Sequence, residues 1–170
     1  GSRGKATLVQ AGETTGLVDV GVSAKETVRR MRAVGFEPTA LSAILITHEH
    51  GDHVGGMPVL ARQLGIPVHI AHATRQVCKL TEKDWNTISW GENVTSNCPI
   101  EIGPVRITPV SVPHDAAEPF IFTLVAEGIK MAVVTDLGII PKHVAEHLRG
   151  CHALVLEANH DRDMLKIGPY

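Results

Sequence analysis

The chain has 170 residues, of which 44% are hydrophobic and 20% charged, so it can form one domain with a sizeable core. The formal net charge of −2 excludes a strongly basic protein that binds nucleic acid through bulk electrostatics. Its apolar runs are shorter than the roughly 20 residues of a membrane helix, and its three cysteines form no CxxC pair, so we expect a cytoplasmic protein without membrane contact.

The first half of the chain predicts a hairpin followed by alternating helices and strands. Ser23 and Glu26 form a capping box that marks a helix start, and Gly35 marks its end. In order, the predicted elements are strands over 6–12 and 15–21, a helix over 23–35, a strand over 43–47, a helix from Asp52 or His53 to Gly65, a strand over 66–71 and a short helix over 72–80.

The second half begins with a polar stretch, residues 81–99, which we expect to lie on the surface. The elements that follow are strands over 105–112, 119–126 and 130–136, a helix over 141–149 and a strand over 152–158. No linker interrupts the pattern, so we expect residues 1–170 to form a single layered α/β (α+β) domain.

Five polar side chains crowd the turn that follows the predicted strand over 43–47, namely His48, Glu49, His50, Asp52 and His53. His48 and His50 are two residues apart, so both can point the same way in extended backbone. Gly51 then allows a turn that brings Asp52 and His53 beside them. Imidazole nitrogens and carboxylate oxygens are zinc ligands, so the spacing predicts a metal site.

Polar residues also follow three later strands, where they can meet the same sheet edge. His114 comes after the strand over 105–112, and Asp136 ends the strand over 130–136. Glu157 and His160 come at the end of the last predicted strand and just after it. Together these positions predict donors that converge on the turn with the histidine cluster.

The sequences "THEHGDH" and "LVDVG", with His114 and Asp136, resemble the metallo-β-lactamase fold in the order that fold uses. The stretches "GSRGKATLV", "LVDVGVSAKE", "SVPHDAAEPF" and "EANHDRDML" are similar to its WalJ (YycJ) branch of metal-dependent DNA exonucleases. The resemblance implies an αββα sandwich and two divalent metal ions, Zn or Mn. Lys5 and Gly51 stand where the branch has Asn and Ser.

The resemblance also implies a role for each site residue. His48, His50 and His114 would bind one metal, Asp52 and His53 the second, and Asp136 would bridge the two. Asp52 would also orient the attacking hydroxide. Asp19 is expected to accept a hydrogen bond from the ligand network and fix its geometry. Glu157 is expected to lie within reach of the same cleft.

Relatives of this branch continue past Tyr170 and supply further histidines, so we expect the second half of the fold to be incomplete. His160 is then a candidate replacement for a missing ligand of the second metal. A second copy of the chain is another candidate source of the missing elements, which makes a homo-oligomer an open expectation.

The expected function is metal-dependent phosphodiester hydrolysis by a metal-activated hydroxide, with nucleic acid as substrate. A carboxylate at Asp136 argues against the best-known zinc β-lactamases, which carry a cysteine there. Two alternatives stay open: a thioester hydrolase resembling glyoxalase II, and a truncated metal-binding domain without catalysis. A competing H-x-x-E-H pattern, His143 to His147, is interpreted as the exposed face of a helix.

Overall fold

The computed structural model describes residues 4–157, which form two β-sheets with helices on their outer faces. The first sheet contains, side by side, β1 (Thr7–Ala11), β2 (Thr14–Val18), β3 (Ala43–Leu45) and β4 (Val68–His69). β1 and β2 form the predicted antiparallel hairpin, whereas β2, β3 and β4 are parallel to one another. The carboxyl ends of these three strands therefore meet at one edge.

The second sheet contains, also in sequence order, β5 (Ile100–Ile102), β6 (Val105–Ser111), β7 (Phe120–Ala126), β8 (Ile129–Val134) and β9 (Ala153–Leu156). Its first four strands are antiparallel neighbours, and β9 pairs with β8 in parallel. β5 lies just beyond the predicted surface stretch and was not predicted, because its sequence, IEI, lacks the longer apolar run that indicated the similarly short β3 and β4.

The helices are α1 (Ala24–Ala33), α2 (Gly51–Val54), α3 (Met57–Leu64), α4 (His72–Val77), α5 (Glu82–Thr87) and α6 (Lys142–Leu148), with a 3₁₀ turn at Pro38–Ala40. One predicted helix is divided into α2 and α3. The break falls at Gly56, where a Cβ atom would lie only 2.0 Å from the carbonyl oxygen of Val22. Helix α5 was missed, although Thr81 and Asp84 cap it reciprocally.

Alternating side chains build three apolar layers from the two sheets. In β2, Leu17 packs on the helix side, whereas Val18 faces the second sheet. In β7, Phe122 lies between the sheets and Ile121 packs on the opposite face, with Val144 of α6. This is the period-two alternation of strands that are buried on both faces.

The resulting order of layers is helices, sheet, sheet, helix, which confirms the expected αββα arrangement. Among residues 4–157, no helix is long and apolar enough to cross a bilayer.

Candidate metal centre

The turn after β3 brings two histidines together at the edge of the first sheet. His48 is buried, with 2% of its surface exposed, and His50 is partly buried immediately before α2. The Nε2 atom of His48 lies 3.1 Å from the Nδ1 atom of His50. The i, i+2 spacing thus places both rings in one cluster.

His114 reaches this cluster from the second sheet, on the loop between β6 and β7. Its Nε2 atom lies 3.3 Å from Nδ1 of His50. The loop is held to the first sheet because Phe120 N donates to Thr47 O at 3.0 Å and Ala117 N donates to the Glu49 carboxylate at 2.8 Å. Each of the three histidines offers a ring nitrogen within 4.8 Å of the other two.

A second convergent group shares His48 and adds His53 and Asp136, whose donor atoms also lie within 4.8 Å of one another. His53 is completely buried, and its Nε2 atom lies 2.7 Å from Asp136 Oδ2. Asp136 follows β8 with a positive φ of 53°. The two sheets therefore supply one group of donors together.

Asp19 and Thr47 fix the orientation of the buried imidazoles. Asp19 is 1% exposed; its carboxylate accepts from Thr47 N at 2.9 Å and lies 2.7 Å from His53 Nδ1. The Thr47 hydroxyl donates its one proton to Asp19 at 2.8 Å, so it can only accept from His48 Nδ1 at 3.0 Å. Sequence reasoning missed Thr47, although it directly precedes the histidine cluster.

These hydrogen bonds place protons on the Nδ1 atoms of His48 and His53 and direct both Nε2 atoms at the site. The Nε2 atom of His53 is buried and makes no hydrogen bond of good geometry, although Asp136 Oδ2 is 2.7 Å away. A lone pair facing a carboxylate oxygen at this distance needs a proton or a cation between them. The donor set therefore fits a metal ion of the kind that binds imidazole and carboxylate.

Asp52 and Lys5 border the second group. Asp52 Oδ2 lies 3.8 Å from His53 Nε2, and also 3.8 Å from Lys5 Nζ. Lys5 donates to both oxygens of Asp136, at 2.9 and 2.8 Å. Sequence reasoning treated Lys5 only as a departure from the branch pattern, and that departure was the signal that could have found it.

Glu157, at the end of β9, also contacts this group. Its Oε2 atom accepts from Asp136 N at 3.1 Å and forms an ion pair with Lys5 Nζ at 2.7 Å. The sequence predicted that Glu157 reaches the same cleft, and the structure places its carboxylate beside Asp136 and Lys5; its role in the site stays a prediction. His160, the other candidate after that strand, lies outside the described residues.

Two imidazoles of the three-histidine group, those of His48 and His114, have lowered pKa values that favour the neutral form. Burial, together with the neighbouring His53, His114 and His50, lowers the pKa of His48 to about 3. Burial also lowers the pKa of His114, although the charge of Asp136 offsets part of this effect. Neutral imidazole is the form that binds a metal ion.

The second group is strongly charged instead. Burial alone would lower the pKa of His53, but the hydrogen bond to Asp19 and the charges of Asp19 and Asp136 raise it. Burial alone would raise the pKa of Asp136, but the Lys5 hydrogen bond and the His53 charge hold it below its usual range. Burial opposes the charge of Lys5 as well, yet the hydrogen bonds to Asp136 and Glu157 raise its pKa.

The competing H-x-x-E-H pattern does not build a second site among the described residues. His143 is exposed on α6, where its Nε2 atom lies 3.0 Å from the carbonyl oxygen of Ser111. His147 donates from Nδ1 to the carbonyl oxygen of His143 at 2.9 Å. Both imidazoles are engaged with backbone, in agreement with the interpretation of an exposed helix face.

The fold and the histidine–aspartate centre define the class of protein. The family model of the β-lactamase superfamily domain matches residues 14–169, and the chain belongs to this family. A solved structure with the same fold is Zn²⁺-bound PqqB from Methylobacterium extorquens, at a TM-score of 0.76 and 18% identity, with 95% of this chain and 62% of that chain covered.

Two curated relatives align with the whole chain. It is 32% identical over 182 aligned residues to exodeoxyribonuclease YycJ of Bacillus anthracis. It is 29% identical over 177 residues to exodeoxyribonuclease WalJ of Streptococcus pneumoniae. In both cases the alignment covers 100% of this chain and 64% of the relative, so the chain spans just under two thirds of these proteins.

Proposed function

We propose that this chain carries the metal centre of a phosphodiesterase that acts on nucleic acid, an exodeoxyribonuclease that uses two divalent ions, Zn²⁺ or Mn²⁺. The observation that carries the proposal is that donors from both sheets converge in two groups that share His48. The carboxylate of Asp136 supports phosphodiester chemistry over lactam cleavage. The nuclease names of both curated relatives favour DNA as the substrate.

In this proposal each residue keeps a distinct role. His48, His50 and His114 would hold one ion through their imidazole nitrogens. His53 and Asp52 would hold the second, and Asp136 would contribute to both. Ions bound there would supply a nucleophile from water at neutral pH and neutralise negative charge on the phosphate.

The remaining side chains orient these donors. Asp19 fixes the His53 ring by accepting from Nδ1, which keeps the Nε2 lone pair directed at the site. Glu157 holds the backbone of Asp136 through a 3.1 Å hydrogen bond. The Asp52 side chain is 25% exposed, so it can also accept a hydrogen bond from an attacking water molecule and orient it.

The proposal is tested by assaying one preparation on linear double-stranded DNA with Mn²⁺ or Zn²⁺ and, in parallel, on a glutathione thioester. We expect DNA to lose nucleotides from its ends and the thioester to remain intact. Asp52→Asn should reduce hydrolysis about 100-fold or more, as expected for a group that orients the nucleophile. Glu13→Gln, at an exposed position in the β1–β2 turn, is the matched control and should retain full activity.

Two results would overturn the proposal in different directions. Thioester turnover with inert DNA would assign the chain to the glyoxalase II-like alternative. Tight metal binding with hydrolysis of neither substrate would make it a metal-binding domain without catalysis.

Two further sequence predictions stay proposals. A cytoplasmic location is supported by the free thiols of Cys78, Cys98 and Cys151, which form no disulfide with one another. Association with a second copy, the other expectation, is tested by light scattering on the purified chain.

A further inference from the structure

Lys5 places a positive charge among the carboxylates of the second group. Its ammonium contacts both oxygens of Asp136, at 2.9 and 2.8 Å, and Glu157 Oε2 at 2.7 Å. An ammonium has three N–H donors and no acceptor, so carboxylate oxygens satisfy it fully. Its side chain is only 18% exposed, which distinguishes it from a surface lysine that swings through solvent.

The backbone holds this lysine firmly at the site. Lys5 N donates to Asp52 O at 2.7 Å, and Gly21 N donates to Lys5 O at 2.7 Å. A Cβ atom on Gly21 would lie 1.5 Å from Asp52 O, so these segments approach as closely as backbone allows. The short distance between Lys5 and the carboxylates is therefore built into the fold.

The ammonium and a second metal ion would need the same oxygen atom. Asp136 Oδ2 lies 2.8 Å from Lys5 Nζ and 2.7 Å from His53 Nε2. An ion bound to His53 and Asp136 at about 2.0 to 2.2 Å would stand within about 5 Å of the ammonium, and two cations repel at that separation. The ammonium of Lys5 and a metal ion at His53 and Asp136 should therefore weaken each other's binding.

We infer that Lys5 is an intramolecular competitor of the second metal ion, which must displace the ammonium from Asp136 before it binds tightly. The inference rests on the proposed function, because it concerns the loading of the same centre. It assigns the three-histidine group a tight site and the carboxylate group a weaker one. Lys5 thus sets the metal concentration at which the centre becomes dinuclear.

The first experiment titrates the metal-free chain with Zn²⁺, and separately with Mn²⁺, by calorimetry and by metal analysis after dialysis. Lys5→Met removes the charge and keeps the length of the side chain, and we expect it to tighten the weaker site at least tenfold. Lys5→Arg retains the charge and should bind like the wild type. Lys25→Met, at an exposed position on α1, is the matched control and should also bind like the wild type.

A second experiment uses the wild-type chain alone, so it does not depend on the folding of a variant. Lysine acetylation by an N-hydroxysuccinimide ester is followed by peptide mass spectrometry as Zn²⁺ rises. Labelling of Lys5 should increase several-fold as the weaker site fills, while labelling of exposed Lys25 stays constant.

Equal affinity of the weaker site in the wild type and Lys5→Met would overturn the inference, as would unchanged Lys5 labelling while a second ion binds. Either result would leave metal-dependent hydrolysis of DNA intact. Absence of tight binding by every variant would contradict both proposals, whereas a tenfold gain in Lys5→Met with inert DNA would contradict only the proposed function.

Discussion

The two donor groups share His48 but differ in how their charge is balanced. In the group of His48, His50 and His114, burial favours the neutral imidazoles of His48 and His114. In the group around Asp136, a buried imidazole, carboxylates and an ammonium are already engaged with one another. The imidazoles of the first group contact one another, at 3.1 and 3.3 Å, whereas by our inference a metal ion must displace the Lys5 ammonium from the second. Ligand type alone therefore does not determine which half of a dinuclear centre binds more tightly.

The largest effect should come from removing an imidazole of the first group. His114→Ala leaves two histidine ligands, whereas a catalytic zinc ion usually has three protein ligands and one water molecule. The affinity of the tight site should therefore fall by more than about 100-fold. Calorimetric titration with Zn²⁺ measures the loss. His72→Ala, at an exposed histidine of α4, provides the control. An unchanged metal stoichiometry and affinity in His114→Ala would remove this residue from the ligand set.

A change at Asp136 should affect both groups together, because the carboxylate is expected to bridge them. Asp136→Asn keeps the shape of the side chain and removes its charge, so both affinities should fall about 10- to 100-fold. Two-site titration separates the two constants. A loss confined to one site would refute the bridging role.

Asp19→Asn should affect the second group selectively. The amide would turn its NH₂ or its oxygen toward His53 Nδ1; the NH₂ orientation favours the tautomer with the proton on Nε2, where the ion would bind. We expect the weaker site to lose about tenfold in affinity. The tight site should change less than threefold. Equal losses at both sites would indicate general damage to the fold, which circular dichroism would reveal.

The last expected effect concerns folding stability: the metal-free chain should show a pH dependence caused by the buried neutral imidazole of His48. His48 has a folded pKa of about 3 and an ordinary value of 6.5, so the unfolded chain binds more protons between these values. The free energy of unfolding should therefore fall as pH falls below 6.5, by at most about 1.4 kcal/mol per pH unit for each such group.

His53 does not contribute in that window. Its pKa is raised, so it is protonated in both states below pH 6.5, and its stabilisation is lost only as pH rises through its folded pKa. Urea unfolding between pH 6.5 and 4.5 measures the slope. A stability that is constant over this range would mean that His48 is not held neutral.

Local patterns predicted much of the centre. The i, i+2 spacing of His48 and His50 indicated one cluster, and polar residues at strand ends indicated His114 and Asp136. The pattern could not predict the contact between Lys5 and Asp136, because these residues are 131 positions apart in the chain. Such a pairing depends on how the amino-terminal segment crosses the sheet edge, and no local periodicity encodes that path.

The fold shows the same division between local and tertiary information. Strands that lie in longer apolar or alternating runs were predicted, including the short β3 and β4, whereas β5 lies outside such a run and was missed. The helix expected from Asp52 or His53 to Gly65 divides at Gly56, whose N–H donates to the carbonyl oxygen of Val20 at 2.8 Å, a tertiary contact that the apolar spacing does not record.

Two aspartates of the centre have a backbone conformation that few amino acids adopt without strain. Asp19 and Asp136 have φ values of 61° and 53°, in the left-handed region where side chains other than Asn, Asp and Gly are strained. Asparagine is the substitute that keeps both the backbone and the shape, and glycine keeps only the backbone. In a saturation library selected for folding alone, these positions should accept very few amino acids. A lack of variation at Asp19 or Asp136 would therefore not by itself show a chemical role.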